Sequence, residues 1–369
     1  MAWTPKDVQP ALMPVPMRGR SGCTNAARSA PPRDRACQAP AMSRVVVTGA
    51  SGLLGGNLAA ELAAAGHEVV ATRRAGTKIA HLADVPLAWA DADLGSVEAL
   101  TRAFAGAAAV FHCAAAVTIK REVTAEMTAA NVTGTANVIE AVIAAGVPRV
   151  VHTSSVVAVG LSTDGRPCDE AAAWNFDAEG LIDAYAITKR RAEEAVHAAR
   201  DRIDAVIVNP TYMFGPRDAR PSSGKLIVDV VRRRVPGWTP GYNNFVDVRD
   251  VARGMIATWQ RGRRGERYIL AGHDLTYRDV MREIARVAGV APPRFRIPRP
   301  IARIVGRWGD LVERRGGEPV VNSTQVRYAY TDKFRFASGK AAAELGYAPG
   351  PLEPAIRDAI DWFRANRML

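Results

Sequence analysis

The chain has no long hydrophobic run. Its longest uninterrupted apolar stretches fall well short of the ~18 residues a membrane-spanning helix needs, although 48% of its 369 residues are hydrophobic. That excludes an integral membrane segment and leaves ample material for a buried core. Cysteine is scarce as well. Cys23, Cys37, Cys113 and Cys168 form no C-x-x-C pair, and no His/Cys cluster has metal-ligand spacing. A disulfide scaffold and a zinc module are therefore excluded, no metal is expected, and the reading is of a reduced, cytoplasmic protein. Aromatic residues are sparse, at 7%. Acidic residues fall short of basic ones, 37 against 49, for a net charge of +12. The excess is dispersed along the chain and no nucleic-acid-binding motif accompanies it, so a nucleic-acid partner is not expected.

The first 42 residues lack periodicity of either kind. They are rich in Pro, Arg, Ala and Ser, and hold six basic residues (Lys6, Arg18, Arg20, Arg28, Arg33, Arg35) against Asp7 and Asp34. They bury too little to repay ordering, and residues 1–42 are predicted to be a disordered extension. A continuous apolar core for a secretory signal is missing. The Arg-rich, acid-poor composition suits a transit peptide, and Met42 before Ser43-Arg44-Val45 suits an internal start; the second reading is preferred.

From Ser43 onward the pattern changes. The β-branched run Val45-Val46-Val47 leads into Thr48-Gly49-Ala50-Ser51-Gly52-Leu53-Leu54-Gly55 and then an amphipathic helix ending near Gly66. Strand, glycine-rich turn and helix together form a phosphate cradle. Gly49 permits the tight turn, Gly52 lets backbone approach a pyrophosphate, and Gly55 allows close helix–strand packing. Ser51, Leu53 and Leu54 complete the turn, whose helix N-terminus offers N–H groups and a positive dipole. Further strands are predicted at Glu68–Thr72, Ala88–Ala90, Ala108–Cys113, Arg149–Thr153 and Ala205–Asn209, with helices between them. This alternation predicts an α/β fold, a doubly wound parallel sheet of the Rossmann type, with ligands beyond the carboxyl ends of its strands. The nucleotide-binding part is read as residues 43–210 and 246–289. A smaller, mostly C-terminal substrate lobe is read as 211–245 and 290–369.

About twenty residues past the glycines, an acidic residue would bind the ribose 2′-hydroxyl of NAD, whereas arginine suits the 2′-phosphate of NADP. Here Thr72-Arg73-Arg74 holds no carboxylate. Arg73 is the candidate contact and NADP is favoured, with NAD left open. Tyr185-Ala186-Ile187-Thr188-Lys189 opens a helix, and four residues place Tyr185 and Lys189 on one face. A nearby ammonium favours the phenolate and brings a tyrosine, ordinarily near pKa 10, toward the working range. His152-Thr153-Ser154-Ser155, at the end of a predicted strand, supplies a hydroxyl to hold a carbonyl oxygen.

Thr48-Gly49-x-x-Gly52-x-x-Gly55, Asp93-Leu94, His112-Cys113-Ala114-Ala115, Asn131-Val132-x-Gly134-Thr135, Ser154-Ser155, Tyr185-x-x-x-Lys189 and Asn209-Pro210 occur in this order. The ordered set resembles the extended short-chain dehydrogenase/reductase family, also called the NAD-dependent epimerase/dehydratase family, from about Ser43 to the C-terminus. The resemblance implies that Asp93, with Leu94 beside it, meets the adenine and that Ala114 lies against the cofactor ribose. It also implies that Asn131 supports the cofactor site and that Lys189 binds the nicotinamide ribose. Counting back from Gly160 makes Ser155 the catalytic serine beside Tyr185 and Lys189. Pro210 and the backbone near Thr211 would face the carboxamide.

Within the family the chain most resembles the dihydroflavonol-reductase-like and 3β-hydroxysteroid-dehydrogenase-like branch. Dehydratases carry Thr-Asp-Glu where this chain has Ser155-Val156-Val157, so dehydration is not expected. The leading reading is an NAD(P)-dependent oxidoreductase interconverting a ketone and a secondary alcohol on a hydrophobic small molecule. A nucleotide-sugar 4-epimerase with retained NAD is the alternative, and a non-catalytic cofactor sensor the third. Phe214, Trp238, Tyr242 and Phe245 are candidate walls for a flat substrate. Asp247 and Asp250 read as helix capping rather than catalysis. Over residues 300–315, Ile301, Ile304, Val305, Trp308, Leu311 and Val312 share one helical face and are expected to pack onto the substrate lobe, a membrane-surface helix being the alternative. A homodimer is in keeping with the family, with no interface identified.

Overall fold

The computed structural model describes residues 42–118, 120–317 and 319–369. The expected disordered extension, with Cys23 and Cys37, lies outside the described residues save for Met42. The strands are β1 (Arg44–Thr48), β2 (Glu68–Arg73), β3 (Ala88–Asp91), β4 (Ala109–His112), β5 (Val150–Thr153), β6 (Ala205–Pro210), β7 (Tyr212–Phe214), β8 (Tyr242–Asp247), β9 (Arg267–Leu270) and β10 (His273–Thr276). Seven form one sheet in the order β3-β2-β1-β4-β5-β6-β9, and every pairing in it is parallel. The order turns back between β1 and β4, so the carboxyl ends of those strands flank a crevice. The doubly wound Rossmann sheet is as the sequence pattern predicts. β9 is the strand that pattern misses, because its apolar run is only Tyr268-Ile269-Leu270.

The all-apolar strands make sense once both faces are covered. Val45 and Val47 of β1 point into a core with Leu58 and Leu62 of the Leu53–Ala64 helix and Val251, Met255 and Trp259 of the Val248–Arg261 helix. Val46, one residue out of phase, packs on the other face with Leu100, Phe104, Val138 and Val142. β7, β8 and β10 form a separate three-stranded sheet. Beside it a third core joins Ile227, Val280, Ile284, Ile356 and Phe363. The Tyr277–Ala288 helix, numbered with the nucleotide-binding part in the sequence reading, contributes its apolar face here.

Two expectations about this region are corrected. Phe214 and Phe245 are core residues: both are fully buried and stack at 5.5 Å inside the third core. Trp238 lies under Arg278 and Tyr242 under Arg335, each in a cation–π contact. The helix Arg299–Arg314 does not bury its large apolar residues either. Its buried positions are Ala302, Gly306 and Gly309, which share a face and let the Ser323–Tyr328 helix approach closely. A Cβ at Gly309 would stand 1.9 Å from the Val321 carbonyl oxygen and one at Gly306 2.9 Å from Val326. Small residues thus win the interface on space, and Ile301, Ile304, Val305 and Trp308 are left on the surface.

Candidate active site

The glycine turn after β1 is built by exclusion. Gly49 has φ +72°, and a Cβ there would lie 2.6 Å from the Ala114 backbone. A Cβ on Gly55 would lie 2.3 Å from the Gly49 carbonyl oxygen, so that residue lets the helix sit against the turn. Gly52 is different: its Cβ would meet only Gly49 O, at 3.4 Å, leaving its other side open. It is the N-cap of the Leu53–Ala64 helix, which no side chain caps. Ser51 is partly exposed there, while Leu53 and Leu54 anchor the first turn in the core. A bare helix N-terminus above a glycine cradle fits a pyrophosphate.

The remaining nucleotide-side residues are held in place. The Ala114 N–H donates to Thr48 Oγ1 at 3.4 Å, fixing the ends of β4 and β1 together. Asp93 accepts from Gly95 N at 2.7 Å at the end of the β3 segment. Leu94 packs on Gly134, and its carbonyl accepts from Asn137. Arg73 has a partner that the sequence pattern did not show. Its Nε donates to Asp91 Oδ1 at 2.8 Å across the β2–β3 pairing, with its guanidinium over Trp89. Its charge is already partnered. Arg74, one residue on, is exposed and makes no ion pair among the described residues.

Asn131 sits in a π-helical turn, Thr128–Thr133, between the Ala125–Met127 turn and the Gly134–Ala144 helix. Such bulges re-aim side chains and recur at functional sites. Asn131 accepts from Ala116 N at 2.7 Å, donates to Ala116 O at 2.9 Å, and donates to Thr188 Oγ1 at 3.1 Å. One buried amide therefore ties the segment after β4 to the helix carrying Tyr185 and Lys189. Thr188, inside the Tyr-x-x-x-Lys spacing, is a positioning residue that sequence reasoning missed. Its signal was a hydroxyl on the helix face turned toward Asn131.

That helix, Ala184–Ala198, is capped by Asp183, whose carboxylate accepts from Ala186 N and from the Tyr328 hydroxyl. Ser155 follows β5, caps the short Val156–Ala158 turn through its Oγ, which accepts from Val157 N at 3.4 Å, and lies beside Tyr185. The Asn209 amide donates to the Ser155 carbonyl and to Glu193, and Glu193 in turn pairs with Arg267. Pro210 ends β6 beside them. The structure thus gathers Ser155, Tyr185 and Lys189 at the carboxyl ends of the central strands.

Their electrostatics differ from the simple expectation. Burial pushes the Tyr185 hydroxyl up to about 12, against a smaller downward pull from neighbouring Ser155. Lys189 is buried and donates to the Thr153 carbonyl at 2.8 Å. It does not rank among the groups that shift Tyr185. Desolvation lowers Lys189 to about 8, offset in part by Cys113 and Glu193. Burial drives both neighbouring histidines, His112 and His152, toward the neutral form, with Lys189 adding to the effect.

The Lys189 shift carries a pH signature. Because its folded value lies below the ordinary 10.5, the unfolded chain holds the proton longer. Lys189's contribution to stability is present above about 10.5 and lost as pH falls through about 8. Denaturant titrations of the wild type and Lys189→Met should therefore diverge between these limits, the wild type gaining relative stability as pH rises. A constant difference across that window would contradict the assignment.

A Rossmann sheet whose strand ends gather a serine, a tyrosine and a lysine beside a glycine cradle defines a nucleotide-dependent enzyme of CH–OH/C=O chemistry. The model of the NAD dependent epimerase/dehydratase family matches residues 45–271, and the chain belongs to that family. It is 33% identical to "Sterol demethylase protein B" of Methylococcus capsulatus, over 88% of this chain and 99% of that protein. It is 30% identical to the 4-hydroxy-2-methyl-3-oxo-4-farnesyl-3,4-dihydroquinoline-1-oxide ketoreductase of Stigmatella aurantiaca, over 83% of this chain and 92% of the relative. The crystal structure of a nucleoside-diphosphate-sugar epimerase from Pseudomonas aeruginosa superposes with a TM-score of 0.72 at 28% identity, covering 89% of this chain and 99% of that one. No described helix is long and apolar enough to cross a membrane.

Proposed function

We propose that the protein is an NAD(P)-dependent reductase of a ketone on a lipophilic, polycyclic or prenylated small molecule, running reversibly with the secondary alcohol. The observation that carries this reading is the gathering of Ser155, Tyr185 and buried Lys189 at the carboxyl ends of the central strands, with no uncommitted carboxylate among them. Asp183 caps its helix and Glu193 is bound to Arg267 and Asn209, so the added acid and base that dehydration needs are not supplied. The names of the Methylococcus and Stigmatella relatives favour an apolar substrate. Residues 43–210 and 246–289 would hold the dinucleotide, and 211–245 and 290–369 the substrate.

The cradle of Gly49, Ser51, Gly52, Leu53, Leu54 and Gly55 would take the pyrophosphate, Asp93 and Leu94 the adenine, and Ala114, Asn131 and Pro210 the nicotinamide half. Bound there, the nicotinamide supplies or accepts the hydride. Ser155 donates a hydrogen bond to the substrate oxygen and fixes its position. Tyr185, protonated at neutral pH, donates its proton to that oxygen as the carbonyl is reduced and recovers it from the alcohol in reverse. Lys189, held on the Thr153 carbonyl, would orient the cofactor ribose.

Arg74, exposed and without an ion pair among the described residues, is the proposed contact for a 2′-phosphate, and NADPH the proposed partner. Arg74→Ala should weaken NADPH binding by roughly 10-fold or more, the scale of a lost charge-assisted hydrogen bond, and leave NADH binding unchanged. Arg73→Ala, which removes a charge already paired with Asp91, should do less. Equal losses for the two nucleotides in a fluorescence titration would remove the preference.

A nucleotide-sugar epimerase is the second reading, favoured by the likeness to the Pseudomonas structure. The test is absorbance at the reduced-nicotinamide band with aromatic, polycyclic and steroidal ketones and with UDP-hexoses. Consumption of added cofactor by a ketone supports the reductase. Hexose interconversion by a cofactor that survives purification, with no consumption, supports the epimerase instead.

A further inference from the structure

The Arg299–Arg314 helix exposes what such helices bury. Ile304 is 68% exposed, Trp308 66%, Ile301 54% and Val305 48%. At i, i+3, i+4 and i+7 these four make one continuous stripe. Scattered exposed apolar residues are ordinary, but a stripe that includes a tryptophan marks a contact surface.

The charge around the stripe is of one sign. Arg299, Arg303, Arg307, Arg314 and Arg315 are exposed and form no ion pair among the described residues. Both carboxylates of the helix are turned inward and used. Asp310 accepts from Ser323 N at 2.9 Å and pairs with Arg121, and Glu313 accepts from Arg121 N at 2.8 Å. Behind the stripe, Arg299, Arg303, Arg307 and Arg327 line a cavity of about 310 Å³ with Ser323 and Val326. That concentration of guanidinium groups suits phosphate.

We propose that this helix is a peripheral docking face for an anionic lipid bilayer, its apolar stripe entering the headgroup boundary and its arginines engaging lipid phosphates. The combination of apolar stripe and unneutralised arginines is what an interfacial helix requires, and long arginine stems reach back to phosphates from a partly inserted helix. A second copy of the chain is a poorer occupant, since a two-fold contact through this face would set these arginines against their own equivalents.

The placement gives the docking a purpose. Through Arg121 the helix holds the segment that follows β4. Its partner helix, through Tyr328, grips Leu181 and Asp183 at the start of the Tyr185 helix. The bilayer would thus lie beside the mouth of the site, where a lipid-dissolved ketone enters. That last consequence rests on the proposed reductase; the docking itself does not.

The test is flotation of the full chain with vesicles of phosphatidylcholine, with and without phosphatidylglycerol, in the absence of substrate. The expected result is binding at least about tenfold tighter to the anionic vesicles, since each basic residue near such a surface strengthens binding roughly fivefold. Binding should weaken at about 1 M salt, where screening acts within about 3 Å. It should be lost in Ile304→Glu/Trp308→Glu and in Arg303→Glu/Arg307→Glu, while NADPH titration and thermal unfolding stay unchanged in both. Absence of wild-type vesicle binding, or equal binding in the variants, would overturn the proposal. So would a wild-type dimer in light scattering that Ile304→Glu/Trp308→Glu turns into monomer, which assigns the face to a second copy. Because no turnover is read, failure here leaves the reductase standing, and failure of the reductase leaves the docking result intact.

Discussion

Tyr185→Phe is expected to lower turnover by about 10²–10⁴-fold, the usual share of a positioned general acid, with nearly unchanged affinity for NADPH. The substitution removes one oxygen and keeps the ring. The backbone of its helix is held independently, by the Asp183 cap and by the Asn131–Thr188 hydrogen bond. A loss in kcat without a loss in cofactor affinity is therefore the signature of chemistry rather than collapse. The raised hydroxyl pKa, about 12, adds a directional consequence. Below that value the group is a protonated acid, ready for ketone reduction, whereas alcohol oxidation needs the phenolate. Oxidation should accordingly climb with pH through the neutral and mildly alkaline range while reduction does not, and that climb should vanish in Tyr185→Phe. Retained turnover in the variant would take Tyr185 out of the mechanism.

Gly49→Ala should be the most damaging change outside the catalytic set. The added methyl meets two backbone atoms of Ala114 at 2.6 Å, and the φ of +72° disfavours any L side chain. A left-handed backbone costs roughly 1–2 kcal/mol and overpacking typically 1–3 kcal/mol, so a loss of about 2–5 kcal/mol is expected. Neither strand can retreat cheaply, because β1 and β4 pair along Val45–Thr48 and Ala109–His112. Thermal unfolding should fall by many degrees, and NADPH affinity should fall with it. Gly52→Ala is the control: its Cβ meets only one atom, at an ordinary 3.4 Å. It should leave stability nearly intact while weakening the nucleotide. Equal unfolding temperatures for Gly49→Ala and the wild type would refute the geometric account of the turn.

The parallel sheet was legible because its strands are buried on both faces and read as short apolar runs punctuated by glycine. Arg267–Leu270 escaped because three apolar residues behind Gly265 resemble a loop as much as a strand. The Tyr185–Lys189 spacing was legible because one helical turn fixes which side chains share a face. What that spacing could not show was where the ammonium would go: Lys189 reaches past Tyr185 to the Thr153 carbonyl, a choice set by tertiary packing. The Asp91 partner of Arg73 was hidden for a related reason. A strand pattern gives the face of a side chain but not its partner, and Asp91 becomes its neighbour only through the β2–β3 register. The Arg299–Arg314 helix inverted a usual rule. Periodicity identified the large apolar stripe, yet Ala302, Gly306 and Gly309 took the interface because only small residues permit so close a crossing.

The most direct test of the central claim is to follow the hydride itself. NADPH deuterated at the transferring position is supplied to the full chain with a ketone that it consumes, and the alcohol is examined by mass spectrometry. The account predicts one deuterium on the carbinol carbon per NADPH oxidised, and neither in Tyr185→Phe. Unlabelled product, or conversion without net oxidation of NADPH, would contradict it.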